Sequence, residues 1–166
     1  MMQRYVIAVL VANRASVLTR VSSMFTRRGF NIDSLAVGET ESPEFSRITI
    51  TFTGDEATKD QLIKQLAKLH DVIKVKVMAR SESTARELLL IKVANSPETR
   101  EEILAAVNVF RSKVIDYSKD ALCCIVTGES TKIDAFIDLL RPIGILEMCR
   151  TGVVALERGK VCLKDE

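Results

Sequence analysis

Between an apolar run (residues 5–11) and a new apolar pattern at helical spacing, the chain passes through Asn13-Arg14-Ala15-Ser16 and on to Val17 and Leu18. A helix start leaves four N–H groups without intrahelical acceptors and carries partial positive charge. Such a turn suits a small anion, for instance an amino-acid carboxylate. Asn13 adds a side-chain amide that both donates and accepts. The plainer alternative is that Asn13 and Ser16 only cap the helix, as these residue types commonly do. The residue pattern leaves both readings open. Asn31, two residues past Gly29 and followed by the apolar Ile32, is a second polar group of the same kind.

Other chemistry is sparse. The single histidine, His70, follows a helical pattern and suits the negative end of a helix dipole better than a general base. Glu101 and Glu102 would point in different directions on a helix, and Glu39 and Glu41 fall at a turn where carboxylates stay solvated. No zinc-protease, nucleophile-elbow or phosphate-loop motif occurs. Cys123, Cys124, Cys149 and Cys162 have spacings that suit neither a zinc site nor a disulfide framework, which reads as reduced, structural thiols of a cytoplasmic protein. The net charge is +2, divided as +4 over residues 1–80 (12 basic, 8 acidic) and −2 over the rest (12 basic, 14 acidic). Neither half is basic enough for nucleic acid, and the 5% aromatic content offers no base-stacking platform. No stretch approaches the roughly 20 apolar residues of a membrane helix, and the early apolar run is short and β-branched, a buried strand rather than a signal segment.

The elements that position the turn follow from periodicity. Residues 5–11 read as a strand covered on both faces. Val17, Leu18, Val21, Met24 and Phe25 form a helical stripe that Gly29 ends in a left-handed cap. Residues 30–39 read as a strand. Residues 46–53 alternate, with Ile48, Ile50 and Phe52 inward and Arg47, Thr49, Thr51 and Thr53 outward, a half-buried strand. Residues 60–69 are predicted helical and 72–78 extended. This β-α-β-β-α-β order is the ferredoxin-like arrangement, an antiparallel sheet with both helices on one face.

Residues 80–84 are polar and aperiodic, a linker. The pattern then recurs over residues 85–166. It has a strand at 88–91, a helix start with Ser96 as N-cap and Pro97 as first residue, strands at 114–117 and 122–127, a helix ended by Pro142, and extended chain over 145–156. The prediction is an α+β protein of two tandem βαββαβ units. Residues 5–11, 88–91 and 153–156 are apolar on both faces, although helices cover only one. The open faces imply homo-dimerisation or docking onto a partner.

Residues 9–50 and the stretches RRGFNIDSL (27–35), SRITI (46–50), KQLAKLHDVIKV (64–75), RELLLIKV (86–93) and RTGVVALERG (150–159) resemble the small, regulatory subunits of acetolactate synthase. The resemblance spans nearly the whole chain. It implies an ACT domain over residues 1–79 that dimerises and senses an amino acid. It also implies a domain over residues 85–166 that contacts and activates a catalytic large subunit, with Arg150 and Arg158 as candidate contacts. Thiamine diphosphate, magnesium and FAD would belong to that catalytic subunit, and this chain would hold no cofactor, no metal and no active site. The effector, a branched-chain amino acid and usually valine, would bind where two ACT domains meet. Its residues would be Asn13, Arg14, Ala15, Ser16, Val17, Leu18, Asn31 and Ile32, with Asn31 from the partner chain. The family turn reads Asn-x-x-Gly-hydrophobic-Leu. Asn13, Val17 and Leu18 match, while Ser16 stands where glycine is expected. Two other readings of the fold are a stand-alone acyl-phosphate hydrolase, using an arginine and an asparagine near the turn, and an ACT sensor serving another enzyme.

Overall fold

The computed structural model describes residues 1–164. The chain divides into two compact units, Met1–Ala85 with Val153–Glu166, and Arg86–Gly152. The expected 85–166 domain therefore gives up its last segment to the first unit; its final two residues lie outside the described residues. The expected 80–84 linker is also shorter, because Ser83 and Thr84 already belong to a strand.

In the first unit, β1 (Gln3–Ala12), α1 (Val17–Arg27), β2 (Ser34–Glu39), β3 (Phe45–Gly54), α2 (Glu56–Leu66) and β4 (Val72–Val77) form an antiparallel sheet in the order β2-β3-β1-β4. Alternation decides the inner face. Tyr5, Ile7, Val9 and Val11 of β1 and Ile48, Ile50 and Phe52 of β3 pack with Val17, Val21, Met24 and Phe25 of α1 and Leu62 and Leu66 of α2. Tyr5 stacks on Phe52, with ring centroids 5.4 Å apart. α1 ends in a Schellman motif. Gly29 has φ +69°, its N–H donates to the Thr26 carbonyl, and the Phe30 N–H donates to the Phe25 carbonyl. Residues 30–33, expected as strand, precede β2 instead, because the chain must first leave that cap. α2 begins earlier than its apolar stripe suggests, because the Asp55 carboxylate accepts from the Thr58 N–H (2.8 Å) and nucleates the helix there.

The outer face of this sheet departs most from expectation. Thr49 and Thr51 are buried rather than solvated, and Ala8 and Leu10 are buried with them. β9 (Val154–Glu157) and the residues after it account for part of this cover. Ala155 and Leu163 close a second small core with Ala8, Leu10 and Met78. Polar links help to hold the segment. The Val153 N–H donates to Ser34 Oγ (3.3 Å), Arg47 Nη2 donates to the Ala155 carbonyl (2.7 Å), and Lys76 pairs with Glu157 (2.6 Å). Part of the apolar face expected to need a partner is thus covered by the chain itself.

The second unit takes most of β5 (Ser83–Ala94), then α3 (Arg100–Val109), β6 (Lys113–Tyr117), β7 (Ala121–Gly128), α4 (Ser130–Leu140) and β8 (Ile145–Arg150). Its strand order, β6-β7-β5-β8, repeats that of the first unit, and β9 pairs with β5, whose first residues belong to the first unit. Leu89, Ile91 and Val93 meet Ile103, Val107, Ile133, Phe136 and Leu140 on the inner face. α3 starts at Arg100 rather than at Pro97. Ser96 and Thr99 instead exchange hydrogen bonds, each backbone N–H donating to the other hydroxyl at 3.3 Å, and this prepares the turn before the helix. The expected extended run 145–156 is broken at Gly152 (φ +80°) into β8 and β9.

Candidate functional site

The turn between β1 and α1 is exposed and well anchored. Asn13, Arg14, Ala15 and Ser16 are exposed, and the Asn13 N–H donates to the Glu44 carbonyl (2.8 Å). The side-chain amide of Asn13 donates to the Pro43 carbonyl (2.9 Å) and to Glu39 Oε1 (3.1 Å), which fixes the amide and leaves its oxygen available as an acceptor. The β2–β3 turn is therefore part of the site. Glu39 was visible in the sequence only as a turn carboxylate; its pairing with Asn13 spans 26 residues and leaves no local signal. On the other side, Arg20 pairs with the buried Asp71 (2.5 Å), and the Ala12 N–H donates to the Asp71 carbonyl (2.9 Å), tying α1 and β1 to the loop before β4.

Ser16 is the N-cap of α1, with φ +68° and ψ −2° in the left-handed region, and its hydroxyl caps nothing. A side chain there costs roughly 1 kcal/mol or more relative to glycine. The capping alternative for Ser16 is thereby removed, and the glycine expected at this position would adopt the same backbone without that cost. The Arg14 N–H turns back to the Ala12 carbonyl (2.9 Å). Among the described residues, the N–H groups of Ala15, Ser16 and Leu18 have no protein acceptor. Val17 is buried in the core, so it offers the site its backbone alone, whereas Leu18 is 41% exposed.

Asn31 is exposed and Ile32 is partly buried against the core. The register puts them far from Asn13 within one chain. Ser34 lies opposite Thr51, and Thr51 opposite Val6, whereas Asn13 follows Ala12 at the other end of β1. Six residues of strand separate the two ends, about 20 Å. Beside both ends runs β2, an edge strand that among the described residues pairs only with β3, with Val37 48% exposed.

Of the two arginines singled out as partner contacts, Arg150 is engaged inside the second unit. It holds Glu87, whose side chain is 1% exposed, at 2.5 Å and Asp134 at 2.8 Å, while Ser130 also donates to Glu87. Burial works to lower the Arg150 pKa, and the hydrogen bonds to Glu87 and Asp134 outweigh it, so the net shift is upward. Arg158 is exposed, and its backbone N–H donates to the Glu82 carbonyl (2.8 Å). His70 is exposed. Burial pushes the Cys124 thiol up to about 11, so it is protonated and inert at neutral pH. Cys149 and Cys162 are exposed, not buried as structural thiols would be. Among the described residues no group of His, Cys, Asp and Glu is arranged to hold a metal, and no helix is long and apolar enough to cross a membrane.

Residues 7–74 match the family described as AHAS small subunit-like ACT domain, and residues 86–159 match the family described as small subunit of acetolactate synthase. A probable acetolactate synthase small subunit of Archaeoglobus fulgidus is 50% identical, over 94% of this chain and 98% of its own. The acetolactate synthase small subunit of Bacillus subtilis is 46% identical, over 93% and 90%. The crystal structure of the acetolactate synthase small subunit from Thermotoga maritima superposes with a TM-score of 0.87 at 40% identity, covering 96% of this chain and 99% of that one. With the doubled βαββαβ topology and the likeness over nearly the whole of both chains agreeing, the chain belongs to the acetolactate synthase small-subunit family.

Proposed function

We propose that this chain is a regulatory subunit that activates a separate catalytic subunit of acetolactate synthase and carries feedback inhibition by a branched-chain amino acid, valine first. It works as a homodimer and holds no cofactor. Thiamine diphosphate, magnesium and FAD belong to the partner. The compartment is the cytoplasm.

The observation that carries this reading is the separation of Asn13 and Asn31 along an exposed edge. Two β2 strands meeting edge to edge in antiparallel fashion bring the Ser34 end of one beside the Glu39 end of the other. Asn31 of one chain then approaches Asn13 of its partner, which is held by Glu39. The effector carboxylate accepts from the N–H groups of Ala15, Ser16 and Leu18. Asn13 and the partner's Asn31 fix its polar end, and Ile32 and Leu18 face its side chain. Because two chains build one site, occupancy favours one dimer arrangement over another. That differential affinity is the only route by which a ligand can act on the catalytic subunit, typically about 1–3 kcal/mol of coupling. Arg158 is the better of the two candidate partner contacts, since Arg150 is committed internally.

Calorimetric titration with valine, alongside sedimentation of the same samples, tests the reading. Saturable binding by a dimer, weakened tenfold or more by Asn13→Ala and by Asn31→Ala, is expected. Valine binding to a monomer, or binding indifferent to Asn31, contradicts it.

A further inference from the structure

A cavity of about 800 Å³ lies inside the first unit, between the outer face of its sheet and the returning segment after Val153. Its size is that of a small-molecule site. Leu10, Phe45 and Ile73 line it from the sheet side and Leu156, Val161 and Leu163 from the returning segment. The charged groups on its wall are unequally satisfied. Glu41 is paired with Lys164 (2.8 Å), Glu39 accepts from Asn13, and Glu157 is paired through Oε1 with Lys76. Arg47 lies on the wall, partly buried, and its Nη2 has only neutral acceptors among the described residues, the Ala155 carbonyl and Met78 Sδ, while its Nε–H is turned away from the cavity. A guanidinium taken from water without a carboxylate in contact is costly, and its planar fork suits a carboxylate. Consistent with that strain, burial lowers the Arg47 pKa, opposed at longer range by Glu157 and Glu41.

We propose that this cavity binds a small organic carboxylate with a branched apolar body, its carboxylate held by Arg47 and its hydrocarbon part seated among Leu10, Phe45 and Leu163. The site lies within one chain and borders the Asn13 turn, since Glu39 both lines the cavity and holds the Asn13 amide. It does not rest on the effector reading. Glu39 and Glu41 are on the same wall, so the competing occupant is an amino acid, whose ammonium would face those carboxylates.

Titration of the full-length protein with isovalerate, isovaleramide and leucine separates these. Saturable isovalerate binding is expected, at least tenfold stronger than isovaleramide. It is lost tenfold or more in Arg47→Met and in Val161→Trp, and retained in Asn13→Ala. Val161 is 48% exposed, so a tryptophan there fills the cavity from its rim and leaves the melting temperature within a few degrees. Leucine binding that exceeds isovalerate and depends on the same residues overturns the carboxylate assignment. Isovalerate binding that survives both variants, or no saturable isovalerate binding, overturns the site.

Discussion

The two units have one topology and two ways of finishing it. Their inner faces are alike, each sealing an alternating sheet under two helices. Their outer faces differ. In the first unit Ala8 and Leu10 lie under Ala155 and Leu163, supplied from about 145 residues further along the chain. In the second, the corresponding outward residue Leu90 is 37% exposed, with the exposed Cys149 opposite it. Charge is handled differently too. The second unit buries Glu87 against its own Arg150, while the first leaves Arg47 on a peptide carbonyl of the returning segment. A shared fold thus fixes one face, and what covers the other is decided by chain outside the repeat.

The largest effect should come from the second unit's internal anchor. Arg150→Met leaves the Glu87 carboxylate, 1% exposed, buried without its guanidinium and should cost roughly 3–5 kcal/mol in urea unfolding, the range for breaking a buried pair. A cost below about 1 kcal/mol would mean the pair is hydrated. Next, Leu10→Asp should destabilise by about 3 kcal/mol, because a carboxylate would sit beneath Ala155 and Leu163, whereas Leu90→Asp should cost about 1 kcal/mol. Equal costs would erase the distinction between the two outer faces.

A smaller gain is expected from Ser16→Gly. Relief of the left-handed backbone at φ +68° should stabilise the protein by about 1 kcal/mol and raise the melting temperature. A loss instead would show that the serine side chain makes contacts worth more than the strain. Smallest is an acid effect at α2. Hydrogen bonds from the Thr58 hydroxyl and N–H hold the Asp55 carboxyl below its usual pKa. A depressed folded-state pKa adds stability that is complete above the unfolded value, about 3.9, and is lost as pH falls through the lower folded value. Asp55→Ala should therefore flatten the stability profile below about pH 4; an unchanged slope would assign acid sensitivity elsewhere.

The repeat, the helix stripes and the Asn13 turn were all legible because each is a local pattern: alternation over residues 46–53, a stripe from Val17 to Phe25, a glycine at the left-handed cap. Element starts were less so. α2 begins where Asp55 caps it, before its apolar stripe, and α3 begins after the Ser96–Thr99 exchange rather than within it. The return of residues 153–164 to the first unit was illegible, because Ala155 and Leu163 carry no mark of which sheet they cover. Within the candidate site, residue type singled out Asn13 as a candidate, but the grip of Glu39 and Pro43 on it and the positive φ at Ser16 are facts of the fold.

The most direct test of the regulatory assignment is the rate of acetolactate formation by the cognate catalytic subunit, measured alone, with this chain added, and with this chain plus valine, leucine or isoleucine. The assignment predicts a rise in rate on adding the chain and a fall when a branched-chain amino acid follows. A rate unmoved by this chain at saturating concentration would contradict it.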